Sequence, residues 1–172
     1  MKNSPQTHLN CMDTAKANNM PYQLSLFDQM PQRGFNKLEQ GVATFLEDQA
    51  PLYFWHRNRS RADYFVQGWK QNRIFSDFIF TTSDAGENGS ESFNRVFVLE
   101  TKGRHLAGVT DAEDKLTDTG YKRSVFTLCS QLAQEKSWAE LVPYMRDKQM
   151  RFEVVDEDGW EARLNELLHL AS

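Results

Sequence analysis

The order of helical and strand patterns along this chain predicts an α/β fold with a mixed central sheet flanked by helices. A helical pattern comes first, three strand patterns follow, and a helix, a strand and a closing helix complete the chain. The length of 172 residues favours one domain with enough chain for a sizeable core. Residues 1–32 are rich in Asn, Gln, Met, Ser and Pro without periodicity. We therefore expect a flexible leader over residues 1–32, in which residues 24–27 can pack on the domain, and a single domain over residues 33–172.

Cysteine content and hydropathy indicate the cellular compartment in which the protein is expected. The two cysteines, Cys11 and Cys129, do not suggest a disulfide framework, so a reduced, cytoplasmic setting is expected. No apolar run is long enough to span a bilayer, and no apolar stretch follows the N-terminal lysine. The sequence therefore predicts no membrane association and no secretory signal.

Charge is unevenly distributed. The formal net charge is −4, yet the stretch from residue 56 to residue 73 carries only Asp63 as an acid. The basic residues of that stretch are Arg57, Arg59, Arg61, Lys70 and Arg73. A basic region within an acidic chain is the place where a nucleic acid is expected to bind.

The first helix is predicted from about Gly34, with Asn36 or Gly34 as its cap. Its apolar positions recur at helical spacing, at Phe35, Leu38, Val42, Phe45 and Leu46. At 100° per residue, Glu39 lies at the edge of the apolar arc and can reach a site between helix and sheet. Glu47 and Asp48 point away from that arc, so we expect both to be solvated.

Three strands are predicted next. Leu52–Trp55 is a short strand, and the apolar runs Ile74–Phe80 and Arg95–Gly103 flank a polar insert over residues 81–92. The last two strands are predicted to form a hairpin whose tip is extended by this insert.

Acidic side chains lie inside these apolar strands. Asp77 is a poor strand former between two phenylalanines, and burying an unpaired carboxylate is costly. Side-chain alternation puts Glu100 and Lys102 on one face of the last strand. Two carboxylates and a lysine can hold a divalent metal beside a cation, which suits hydrolysis of a phosphodiester. An ion pair facing water is the alternative interpretation of Glu100 and Lys102.

The C-terminal third is predicted to contain a helix, a strand and a helix. The first of these helices is expected to be capped by Thr119 and to turn inward Tyr121, Val125, Leu128 and Leu132. Residues 150–155 fit a strand, and residues 160–170 a closing helix.

Five short segments together resemble a known family. They are Phe35–Glu39, Trp55–Asn58, Gln67–Trp69, Ser76–Ile79 and Glu100–Gly103. Their order resembles the restriction-endonuclease-like nucleases, the PD-(D/E)xK superfamily. The residues within these segments are most similar to the nuclease-like domain at the C-terminus of type III restriction subunits and related DEAD/DEAH-box helicases. Ser76 stands where that family usually has proline, and these 172 residues contain no helicase phosphate loop.

The resemblance implies a Mg²⁺- or Mn²⁺-dependent endodeoxyribonuclease of restriction or phage-defence type. It implies Asp77 and Glu100 as metal ligands, Lys102 in the catalytic role and Glu39 as an accessory carboxylate. It also implies DNA as partner, with a helicase, translocase or methyltransferase subunit and a homodimer as further possibilities. A catalytically silent DNA-binding or assembly module is the alternative, and an RNA nuclease on the same fold is a third.

Contacts to nucleic acid are expected from the basic region and from one later lysine. The residues expected to bind the backbone are Arg57, Asn58, Arg59, Arg61, Arg73 and Lys122. Trp55 and Trp69 are expected in the core, with stacking on an unpaired base as the alternative.

Overall fold

A computed structural model describes residues 22–26, 34–85, 91–103, 117–135 and 149–169. The elements in chain order are α1 (Lys37–Glu47), β1 (Leu52–Arg57), β2 (Val66–Gln67), β3 (Arg73–Ile74), β4 (Phe78–Ala85), β5 (Glu91–Lys102), α2 (Asp118–Glu135), β6 (Gln149–Asp156) and α3 (Trp160–His169). The predicted α/β class with a mixed sheet and flanking helices is confirmed. The rest of the predicted leader lies outside the described residues. No helix in the described ranges has the length and apolar character needed to cross a membrane.

The main sheet has the strand order β1-β4-β5-β6, and β2 with β3 forms a separate small ribbon. The pairs β1/β4 and β4/β5 are antiparallel, whereas β5/β6 is parallel. The predicted hairpin of β4 and β5 is confirmed, with Phe80 opposite Phe97 and their rings stacked at 4.8 Å. Both strands run further into the polar insert than predicted, because the ladder continues past an irregularity between Thr82 and Ser83.

Two apolar cores cover the two faces of the sheet. On one face, the apolar side chains of α1 and α3 pack against Trp55, Phe78, Phe97 and Leu99. On the other face, α2 packs against Val98 and its neighbours on β3 and β6. Phe97 and Leu99 alternate with Val98 because successive side chains of a strand point to opposite faces. Burial of each such side chain contributes about 1.5–3 kcal/mol, so the sheet is fixed from both sides.

The inward face of α2 differs from the prediction. Leu128 and Leu132 are each 44 % exposed, whereas Phe126 is buried and packs against Phe152 at 5.5 Å. The expectation that both leucines turn inward was wrong. The helix is rotated so that its aromatic residue fills the core, since an aromatic ring buries a large apolar area.

Both long helices near the end of β5 begin at side-chain caps. In α1 the side chain of Asn36 accepts the Glu39 N–H at 2.9 Å, and the Glu39 carboxylate accepts the Asn36 N–H. This is the capping box, and Asn36 is one of the two predicted caps. In α2 the Thr117 hydroxyl accepts the Gly120 N–H at 3.0 Å. The predicted cap Thr119 was therefore wrong by two residues.

Residues 22–26 lie against β1, where Glu47 anchors them. The Glu47 carboxylate accepts hydrogen bonds from the backbone N–H of Gln23, from that of Leu24 at 3.1 Å, and from the Trp55 indole at 2.8 Å. Glu47 is buried, so the expectation that it is solvated was wrong. Packing of this segment on the domain is confirmed for its described residues.

Candidate active site

One open cleft lies at the end of the sheet where β1 and β5 end and β4, α1 and α2 begin. Its volume is about 1050 Å³. It is lined by every residue that the sequence singled out for catalysis, metal binding or nucleic-acid contact: Glu39, Arg57, Asn58, Arg59, Arg61, Arg73, Asp77, Glu100, Lys102 and Lys122. Strand ends and helix starts that are far apart in the sequence thus meet at one place.

Asp77 lies one residue before β4, at a turn. Its N–H donates to the Leu99 carbonyl at 2.9 Å, and its own carbonyl accepts the Asn58 N–H at 2.8 Å. The single strand predicted over residues 74–80 was wrong, because its first residue belongs to β3. Asn58 donates from Nδ2 to the Ser76 carbonyl at 2.9 Å, which holds the chain in this turn. The buried Asn58 amide therefore supports the position of Asp77.

Thr101 orients the Asp77 carboxylate. Its backbone N–H and its hydroxyl both donate to Oδ2 of Asp77, at 2.7 and 2.8 Å. No hydrogen bond from the described residues reaches the other oxygen, Oδ1. The sequence offered Thr101 only for its carbonyl, as a possible metal ligand beside Asp77 and Glu100. Its role as a donor to Asp77 was not predicted, although the signal was present: a hydroxyl residue between Glu100 and Lys102, beside the strand that begins after Asp77.

Glu100 is buried between two lysines. It is 2 % exposed. Its Oε1 contacts Nζ of Lys102 at 2.6 Å and Nζ of Lys122 at 2.8 Å. Its Oε2 is buried and has no hydrogen-bond partner within the described part of the chain. Buried carboxylate oxygens usually have partners, so this oxygen remains available to a cation or a water.

The ionisation of Glu100 reflects this setting. Burial, and then the charge of Asp77, raise the pKa of Glu100 above its ordinary value of 4.5, while Lys122 and Lys102 oppose the rise. Burial by itself would lower the pKa of Lys122, but the charge and hydrogen bond of Glu100, helped by Asp118, raise it overall. The site therefore holds a cationic Lys122 beside an acid whose negative charge is only partly compensated.

The free oxygens of Asp77 and Glu100 suit a hard divalent cation. Mg²⁺ prefers oxygen ligands, keeps several waters and is commonly held by one or two carboxylates together with substrate phosphate. Among the described residues there is no group of three or more His, Cys, Asp or Glu side chains arranged to hold a metal. The donor set at this position is thus a carboxylate pair, and Oε2 of Glu100 is the buried atom that such an ion would satisfy.

Glu39 lines the same cleft but is fully engaged. Its Oε2 accepts hydrogen bonds from Nη2 and Nε of Arg57, at 2.7 and 3.2 Å. Its Oε1 accepts from Nδ2 of Asn36 at 2.9 Å. Arg57 also donates to the Gly34 carbonyl at 2.7 Å and lies over the Phe35 ring at 4.6 Å. The structure therefore joins two predicted site residues into one ion pair at the start of α1.

The remaining arginines form the rim. Arg59 pairs with Asp63 through Nη2 at 2.8 Å and remains largely exposed. Arg61 is exposed and has a left-handed backbone, with φ of 65°. Arg73 lies over the Phe65 ring at 4.2 Å. The cleft lining contains six cationic side chains and four carboxylates, so it is locally basic within an acidic chain.

The comparisons with protein-family models, with curated proteins and with solved structures find no match to this chain.

Proposed function

We propose that this chain is a Mg²⁺- or Mn²⁺-dependent endodeoxyribonuclease of restriction or defence type with a restriction-endonuclease-like sheet. The observation that carries the proposal is the meeting of Asp77, Glu100 and Lys102 in one basic cleft, with a buried Glu100 oxygen that lacks a partner there. The sequence resemblance to PD-(D/E)xK nucleases supports the same chemistry.

In this proposal Asp77 and Glu100 would hold the ion, with the buried Oε2 of Glu100 as one of its ligand atoms. Mg²⁺ held there would supply the positive charge that polarises a phosphodiester and lowers the pKa of a bound water. Thr101 keeps the Asp77 carboxylate in one orientation through its two hydrogen bonds. Lys102 donates to the attacking water or to a non-bridging oxygen, and Lys122 adds a second positive charge where negative charge develops.

The rim binds the DNA backbone. Arg59, Arg61 and Arg73 are exposed at the cleft and can pair with phosphates, which position a duplex without reading its sequence. Glu39 acts in this proposal through Arg57, whose guanidinium it fixes at the cleft wall. The proposed setting is the cytoplasm, with DNA as substrate and with a helicase, translocase or methyltransferase subunit, or a second copy of the chain, as assembly partner.

Plasmid cleavage in Mg²⁺ and in Mn²⁺ tests the proposal. Asp77→Ala and Lys102→Ala should each reduce cleavage by about 10²–10³-fold or more, the cost of removing one group that stabilises a transition state. Asp158→Ala changes an exposed acid outside the cleft and should cut like the wild type. Undiminished cleavage by both site variants would remove the proposal, and an RNA substrate of equal length tests the RNA-nuclease alternative.

A catalytically silent DNA-binding or assembly module is the second candidate. One observation favours it: Oε1 of Glu100 is already paired with two lysines, and Glu39 is paired with Arg57. Such a module would bind DNA equally well in EDTA and would nick nothing in Mg²⁺ or Mn²⁺. Gel-shift and cleavage assays on the same preparation separate the two candidates.

A further inference from the structure

Trp69 is the most exposed large hydrophobic residue of the described chain, at 63 %. It lies in the turn between β2 and β3, so the expectation that it belongs to the core was wrong. Trp55, by contrast, is completely buried as expected. An exposed indole does not gain the free energy that burial of a tryptophan in a core provides. Exposure of so large an apolar side chain is typical of a binding surface.

The Trp69 ring contacts the first turn of α2 on one side. Its ring meets the ring of Tyr121 edge-on, with centroids 5.1 Å apart and an interplanar angle of 87°. The Tyr121 hydroxyl accepts the Lys70 N–H at 3.0 Å, and Gln67 donates to the Lys70 carbonyl at 2.8 Å. A Cβ on Gly68 would come within 2.3 Å of the Tyr121 hydroxyl, so glycine is required for this approach. These contacts hold the turn against α2 and leave the Trp69 ring exposed to solvent.

Cationic side chains lie at this turn and a few residues away from it along the chain. The Lys70 ammonium lies 4.3 Å from the centre of the Tyr121 ring. Arg73, four residues after Trp69, lines the cleft. Lys122, the residue after Tyr121, contacts Glu100 there. One face of the start of α2 thus supports the indole while the adjacent residue reaches the carboxylate pair.

We propose that Trp69 is a stacking site for an unpaired nucleobase of a DNA strand whose backbone lies in the cleft. Because DNA in the cleft is part of the function proposed above, this stacking site rests on that function. Bases inside a duplex are already stacked on one another, so only an unpaired base can offer its face to the indole. The site therefore adds affinity for DNA that carries an unpaired base beside the cleft, whereas a continuous duplex is held through its backbone alone.

Fluorescence anisotropy in EDTA measures binding without cleavage. The probes are a labelled oligothymidylate of about 12 nucleotides, a duplex of equal length, and a deoxyribose-phosphate chain of equal length without bases. The wild type should bind the oligothymidylate about 5- to 150-fold more tightly than the baseless chain, the range expected for stacking of one base. In Trp69→Ala this ratio should fall to about twofold or less, while affinity for the duplex stays unchanged.

Two variants control the measurement. Trp69→Phe keeps an aromatic face and should retain most of the base-dependent ratio. Leu132→Ala removes another exposed apolar side chain, further along α2, and should leave the ratio unchanged. The stacking site is overturned if Trp69→Ala has the same ratio as the wild type. It is also overturned if the wild type binds the oligothymidylate and the baseless chain equally tightly.

The outcomes separate this inference from the nuclease proposal. If the wild type shows the Trp69-dependent ratio but does not cut DNA in Mg²⁺, the stacking site stands and the nuclease proposal fails. If the wild type cuts DNA but its ratio does not depend on Trp69, the nuclease proposal stands and the stacking site fails.

Discussion

Two acid–cation clusters share the cleft, and they differ in how completely their carboxylates are satisfied. Glu39 has partners on both oxygens, from Arg57 and Asn36. Glu100 has two lysines on one oxygen and, among the described residues, no partner on the other. Because an unsatisfied buried oxygen costs free energy, the Glu100 cluster is poised for a ligand, whereas the Glu39 cluster is complete without one.

The local sequence explains the difference. Glu39 is the third residue of α1, where a glutamate completes a capping box and meets the positive end of the helix dipole. Glu100 follows Val98 and Leu99 in a strand covered on both faces, where a carboxylate has no structural benefit. Functional sites are the places where a chain departs from its own local rules.

The largest expected effect distinguishes the two carboxylates by cleavage. Glu100→Gln should reduce plasmid cleavage by about 10²–10³-fold, because the amide cannot replace a charged metal ligand. Glu39→Gln keeps the capping box, since glutamine also serves there, and should retain cleavage within about tenfold. Equal losses in both variants, measured on samples with matched circular dichroism, would erase the distinction between the clusters.

The acid limb of the pH profile should report Glu100. Its pKa is raised, first by burial and then by the charge of Asp77, so the carboxylate takes up its proton at a higher pH than an ordinary glutamate. At subsaturating Mg²⁺, where the metal-free protein predominates and the proton competes with the ion, cleavage should therefore fall as the pH is lowered through that raised pKa, by about tenfold per pH unit below it. An inflection at or below 4.5, the ordinary value, would contradict this assignment.

Lys122→Met sharpens the same measurement. The charge of Lys122 lowers the pKa of Glu100, so its removal should move the acid limb to higher pH. Arg123→Met changes the adjacent cation of α2, which pairs with Asp156, and should leave the limb in place. A limb that stays fixed in Lys122→Met would mean that another group controls the profile.

The meeting of three predicted site residues in one cleft could be expected from the sequence alone. Asp77, Glu100 and Lys102 could be placed together because strand alternation and hairpin pairing are local rules with few exceptions. Glu39 could be placed at the site by its angle on the helix, but its engagement with Arg57 required the three-dimensional approach of β1 to α1. Side-chain pairing between distant elements leaves no periodic trace in the chain.

Two of the errors, those at Glu47 and Trp69, share one physical cause, which is tertiary contact. Glu47 lies off the apolar arc of α1, yet residues 22–26 cover it and use its oxygens. Trp69 is apolar, yet the contact of Gly68 with Tyr121 fixes the turn so that the indole remains outside. Neither contact can be read from composition or spacing, because each depends on which distant segment arrives at that surface.

The free energy of unfolding should also distinguish the two clusters, but here the Glu39 variant should show the larger loss. Glu39→Gln loses the ion pair with Arg57 and should lower the free energy of unfolding by about 1–2 kcal/mol. Glu100→Gln should unfold no more easily than the wild type at neutral pH, because a raised pKa means that the fold disfavours the ionised Glu100. Urea titrations at several pH values measure both.

The pH dependence of that comparison has a definite sign. Between 4.5 and its raised pKa, Glu100 keeps its proton in the folded protein while the unfolded chain has lost it. The wild type therefore loses stability relative to Glu100→Gln as the pH rises through this interval, and the difference becomes constant above it. A wild type that gains on the variant with rising pH would mean that the lysines fully compensate Glu100.

The smallest expected effect concerns Asp63, a third saturated acid beside the rim. Hydrogen bonding to Arg59 lowers the pKa of Asp63, and the carboxylate also contacts His56 at 3.1 Å. A depressed pKa stabilises the fold at neutral pH and loses that effect only as the pH falls through it. Asp63→Asn should therefore lower the melting temperature at pH 7 by about 1–2 °C, because the pair with Arg59 is exposed. DNA affinity should stay equal or increase, since a negative charge leaves the phosphate path. A tenfold loss of affinity would show that Asp63 positions Arg59 for DNA, which is the role proposed for Glu39 toward Arg57.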